Sequence, residues 1–126
     1  MGQQRTITAH FNQERRYFEN SIGRGFDFTQ STGPYEYLLG ALSGCFYLTL
    51  LATKHQSRWQ DVEITVTGIK RDTVPTTLEK TIISITVHGA TDEDEFRALV
   101  AEAEKNCSIY NTIKTVSEME VEIKFA

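Results

Sequence analysis

Cys45 and Cys107 are the residues with the most chemistry to offer, and they stand 62 positions apart in a chain of 126 residues. Two thiols are too few for a secreted disulfide framework or for a four-ligand zinc site, so if they work, they work as reactive sulfurs. Cys45 lies eleven residues after Pro34 inside a strongly apolar segment, and such surroundings disfavour a thiolate. A working Cys45 therefore needs a cation or hydrogen-bond donor brought from elsewhere; without one it is a small packing hydrophobe. Cys107 sits between Asn106 and Ser108 in a polar stretch, where it could meet another sulfur or simply be a shielded loop cysteine.

Other chemistry is thinly represented. His10, His55 and His88 are dispersed without ligand spacing, and His55 beside Lys54 has a plain role at a helix C-terminus. The acidic run Asp92 to Glu95 suits the first turn of a helix better than a metal, so no metal site and no organic cofactor are expected. Gly23-Arg24-Gly25 is too short for a phosphate loop, and no nucleophile elbow appears.

The elements that must hold these sulfurs can be read from periodicity. Ile7, Ala9 and Phe11 alternate with Thr6, Thr8 and His10 as in a half-buried strand, and Arg16 to Asn20 and Arg24 to Thr29 are short strands separated by turn residues. A polar loop, Gln30 to Gly33, precedes Pro34, which opens a helix running to about Lys54. That helix is apolar nearly all round, so it must be buried on all sides. Its length, about 32 Å, exceeds the radius of gyration of about 14 Å for a chain of this size, which calls for a second copy to cover part of it. Gly40, Ala41, Ser43 and Gly44 make the stretch before Cys45 small, as if something packs closely there.

The second half is more regular. Val62, Ile64 and Val66 alternate with polar residues, and Leu78 to His88 is similarly patterned, giving a hairpin across Asp72 to Thr77. Phe96, Leu99, Val100 and Ala103 mark one apolar face of a second helix, and Met119, Val121, Ile123 and Phe125 form the inner face of a last strand. No repeat or linker interrupts residues 1–126, which read as a single α+β domain.

Composition narrows the function classes. Hydrophobic residues make up 40% and charged residues 24%, ordinary values for a globular chain, and 13 basic against 17 acidic residues give a net charge of −4 with the basic ones scattered. Nucleic acid is not an expected partner. The longest apolar stretch, Tyr37 to Ala52, is 16 residues with polar interruptions, short of the roughly 20 that cross a bilayer, and no secretory leader pattern is present. No membrane association is expected, and the expected location is the cytoplasm.

The segment GPYEYLLGALSGCF, Gly33 to Phe46, resembles the central-helix signature of the OsmC/Ohr family, and NCSIYNTI, Asn106 to Ile113, sits where that family carries its second cysteine. The resemblance spans essentially the whole chain, including element order. It implies an OsmC-like fold, antiparallel sheets packed around a long buried central helix in an intertwined homodimer. It further implies a thiol peroxidase acting on organic hydroperoxides, with Cys45 as the peroxidatic sulfur and Cys107 as the resolving one. An external dithiol or a lipoylated protein would complete the cycle. The family's activating pair is an arginine and a glutamate. For the arginine, Arg24 lies at nearly the expected distance before Pro34, with Arg15 and Arg16 as alternatives. A glutamate directly following the proline is the family pattern, whereas here Tyr35 follows and Glu36 comes one place later. Nine residues put Glu36 on the helix face opposite Cys45 and about 13 Å along the axis, so it could serve only from a partner subunit or through a bend, and a role as an N-terminal helix carboxylate competes. Ser108 and Ile109 stand where the family usually has a proline. The competing expectation is an OsmC-fold protein that responds to redox state or binds a small ligand without robust turnover.

Overall fold

The structure, a computed structural model, describes residues 4–14, 16–27 and 32–126. Arg15, Phe28, Thr29, Gln30 and Ser31 lie outside the described residues. In chain order the elements are β1 (Ile7–Phe11), β2 (Arg16–Asn20), β3 (Gly25–Asp27), α1 (Pro34–Ala52), β4 (Asp61–Lys70), β5 (Leu78–His88), α2 (Glu93–Asn106), α3 (Ser108–Lys114) and β6 (Glu118–Phe125). They fall into two compact units, Met1–Leu38 and Leu39–Ala126.

The first unit is an antiparallel meander, β1-β2-β3. Its second turn forms because the Asn20 side chain accepts from the amides of Ile22 and Arg24, at 3.1 and 3.0 Å, while Gly23 takes a left-handed φ of 82° that other residues rarely adopt. Phe18 stacks on Phe26, Tyr37 meets both rings edge-on, and the Tyr37 hydroxyl donates to the Asp27 carbonyl. The half-buried face expected for β1 is not seen among the described residues: every residue of the strand is exposed.

In the second unit, β4 pairs antiparallel with β5, and β5 pairs with β6. This last pair is parallel, a departure from wholly antiparallel sheets, because α2 and α3 carry the chain back across the sheet before β6 begins. Alternation sends Val62, Ile64 and Val66 to one face, opposite Val87, Ile85 and Ile83, which in turn pair with Phe125, Ile123 and Val121. Against this face lie Phe96, Leu99, Val100 and Ala103 of α2, all buried. Trp59 meets Phe96 edge-on, as Phe96 meets Phe125. Gly68 has a steric reason: a Cβ there would stand 2.7 Å from Leu78 Cδ2 and 3.2 Å from Leu39 Cδ2. Two buried hydroxyls, Thr81 and Ser117, satisfy each other at 2.7 Å.

The central helix ends at Ala52, two residues before the expected Lys54. Its all-round burial is not found within one chain. Only Leu42, Phe46 and Leu50, a stripe at four-residue spacing, are fully buried, whereas Leu48 is 64% and Leu51 49% exposed. The close packing expected at Gly40 and Gly44 is missing too, since a Cβ on either would meet nothing within 4 Å. By length and composition alone α1 could cross a bilayer; Leu42, Phe46 and Leu50 are its contribution to the core.

Candidate thiol site

The sulfurs are positioned by α1 and by the corner between α2 and α3. Asp92 caps α2, its carboxylate accepting from the Glu95 amide at 3.1 Å, and the apolar face Phe96, Leu99, Val100 and Ala103 turns the helix so that the next residue of that row is Cys107. The helix stops there, with Cys107 extended at φ −69° and ψ 116°, and a new helix starts at Ser108. The stretch around Cys107 reads from composition as a loop that shields the thiol or lets it meet another sulfur; in the structure Cys107 is the N-cap of α3 and is 0% exposed. Its sulfur accepts from the Tyr110 amide at 3.5 Å, which takes the place of the hydroxyl or carboxylate oxygen usual at that position.

Asn111 ties the corner together. Its side-chain amide donates to the carbonyls of Glu104 and Lys105 at 3.0 and 3.2 Å, groups that the end of α2 leaves without helical partners, and to that of Cys107 at 2.8 Å, which also accepts the Asn111 backbone amide at 3.0 Å. Tyr110 adds a second tie. Its hydroxyl donates to Glu104 Oε1 at 3.1 Å and its ring packs against Phe46 of α1, with centroids 6.0 Å apart. Burial and the Glu104 carboxylate push the Tyr110 phenol up to about 12.

These constraints bring Cys107 Sγ to 3.3 Å from Cys45 Sγ, with Cys107 donating, and both thiols free. A disulfide holds its sulfurs about 2.05 Å apart, so closure of about 1.2 Å would join them. Cys45 flanks the buried stripe of α1 and is partly accessible. One turn further, the Thr49 hydroxyl donates to the Cys45 carbonyl at 2.8 Å. Burial raises the Cys107 thiol above its ordinary value, the hydrogen bond and charge of Cys45 reinforce that, and the Tyr110 amide and Thr49 hydroxyl oppose it. None of the described groups acting on Cys107 is a cation.

The other expected site residues lie in the first unit. Arg24 forms the β2–β3 turn of the first unit, its carbonyl accepting from the Asn20 amide at 3.0 Å, and Arg16 opens β2. Arg15 lies outside the described residues. Glu36 occupies the first turn of α1 with its carboxylate folded back, 3.2 Å from where a Gly33 Cβ would stand, the posture of a helix-start carboxylate. Thr49, Glu104, Tyr110 and Asn111 were not singled out from sequence. Only Asn111 carried a signal, an amide four residues beyond a cysteine at a helix end.

The comparisons with known proteins agree with this architecture. The family model for OsmC-like proteins matches residues 27–122. A hypothetical protein from Aquifex aeolicus VF5 superposes with a TM-score of 0.86 at 18% identity, covering 99% of this chain and 98% of that one. An OsmC-like protein from Mycoplasma pneumoniae gives 0.84 at 19% identity, with 100% and 99% covered. The organic hydroperoxide resistance protein OhrB of Bacillus subtilis gives 0.65 at 16% identity, with 96% and 98% covered. No curated protein matches the chain. These structures share the fold, and the family match over most of the length shows that the chain belongs to the OsmC-like proteins.

Proposed function

We propose that the protein is a thiol-dependent peroxidase that reduces organic hydroperoxides, with Cys45 peroxidatic and Cys107 resolving. The observation that carries this reading is the 3.3 Å separation of two free sulfurs, one partly accessible and one buried. The Cys45 thiolate attacks the outer peroxide oxygen, the O–O bond breaks, the alcohol leaves with a proton, and Cys45 becomes a sulfenic acid. The Cys107 sulfur then displaces water from that sulfenic acid, forming the disulfide. A dithiol reduces it by two exchange steps and leaves as its own disulfide. Small alkyl dithiols and lipoylated proteins both have this chemistry, and the cytoplasm keeps them reduced.

The thiolate needs a positive neighbour, and the candidates are Arg24, Arg16 and Arg15, delivered in a homodimer whose second copy covers the open stripe of α1. Support for such a copy comes from the exposure of Leu48 and Leu51 beside the open space at Gly40 and Gly44. The posture of Glu36 favours a second reading, an OsmC-fold protein that senses oxidants or binds a small ligand with little turnover. Cumene hydroperoxide with dithiothreitol separates the two. Steady peroxide consumption abolished by Cys45→Ser, with a dimedone-reactive sulfenic acid accumulating in Cys107→Ser, supports the peroxidase. Stoichiometric oxidation without turnover supports the sensor, and consumption unchanged in Cys45→Ser overturns both roles for that sulfur.

A further inference from the structure

We propose that Asp61, Glu63 and His88 form a binding site for a divalent first-row transition ion, independent of the thiol pair. Dispersed in sequence, the three are brought together by sheet register. Asp61 of β4 pairs directly with His88 of β5, and Glu63, two residues along, projects from the same face as Asp61. Two carboxylate oxygens and one ring nitrogen lie within 4.8 Å of one another. A point equidistant from three atoms at that spacing is about 2.8 Å from each, whereas such ions sit about 2.0–2.2 Å from oxygen and nitrogen ligands. Small side-chain rotations close the difference. One imidazole and two carboxylates on one side leave the remaining positions to water, a donor set suited to manganese, iron, cobalt or zinc.

The backbone beneath is pinned. The Gln60 amide donates to the His88 carbonyl at 2.8 Å, and Gly89, at φ 72°, turns against the Gln60 side chain. The acidic residues of α2, by contrast, are engaged within their own helix and its neighbours. In the acidic run that opens α2, Asp92 caps the helix, Glu95 accepts from the Gln56 amide, and Glu93 and Asp94 pair with Arg97. Among the described residues the side chains of Asp61, Glu63 and His88 make no hydrogen bond or ion pair, so two adjacent carboxylates stand without a counter-cation.

Titration of the reduced protein with Mn2+, a hard ion with little appetite for thiolates, tests the site by electron paramagnetic resonance and by paramagnetic broadening of the His88 ring signals. One ion per chain is expected, with binding weakened about tenfold or more in His88→Ala and in the near-isosteric Asp61→Asn, and unchanged in Asp94→Asn. Absence of saturable binding at millimolar Mn2+, equal affinity in His88→Ala and Asp61→Asn, or broadening centred on Asp92 to Glu95 would overturn the proposal.

Discussion

Cys107 sits in conditions that hold its proton: burial dominates, and the neighbouring Cys45 adds to it. A thiol raised above its ordinary value of 9.0 supplies little thiolate at neutral pH, and the thiolate is the attacking form. The step that forms the disulfide is therefore expected to accelerate with pH through neutrality and past 9, about tenfold per unit, before levelling. Stopped-flow oxidation of the reduced protein, followed by quenched mass analysis, reads this directly; a flat profile between neutral and alkaline pH would mean that Cys107 does not limit closure. The sign for stability runs the same way. A raised folded-state value contributes stability that is present below the unfolded value and is lost as pH climbs through the folded one, so Cys107 and Tyr110 both weaken the fold only in the alkaline range.

The α2–α3 corner is the element that sets the sulfur separation. Asn111 closes three carbonyls there, so Asn111→Ala is expected to lower stability by roughly 1–2 kcal/mol, seen as a shifted urea midpoint, and to slow disulfide closure under diamide. A variant with the parent's closure rate would show that the apolar row of α2 alone aims Cys107. Most of this architecture is written in the chain by local rules. Pro34 at a first helical turn, Asp92 before an acidic turn and period-two alternation in β4, β5 and β6 each specify their element. Helix α3 was not legible, because its cap is a cysteine sulfur rather than a hydroxyl or carboxylate, and the Asn-Cys-Ser run reads as loop. The proximity of Asp61 to His88 was equally hidden, since register across a seven-residue connection is a tertiary fact that spacing does not contain.

At the scale of the whole molecule, α1 presents a sequence that is apolar around its circumference to a chain that covers one stripe of it. If a second copy supplies the rest, as proposed above, Leu48→Lys is expected to shift the protein from dimer to monomer in sedimentation experiments, because a charge would then occupy the joined surface. An unchanged sedimentation coefficient would place Leu48 outside any such contact. In the cycle proposed above, the unequal accessibility of the two sulfurs also gives the recycling reaction a direction. Once Cys45 and Cys107 are joined, an incoming thiol can approach in line only at the sulfur that solvent touches, so the transient adduct with the reductant is carried on the central helix while Cys107 departs into its own closed compartment.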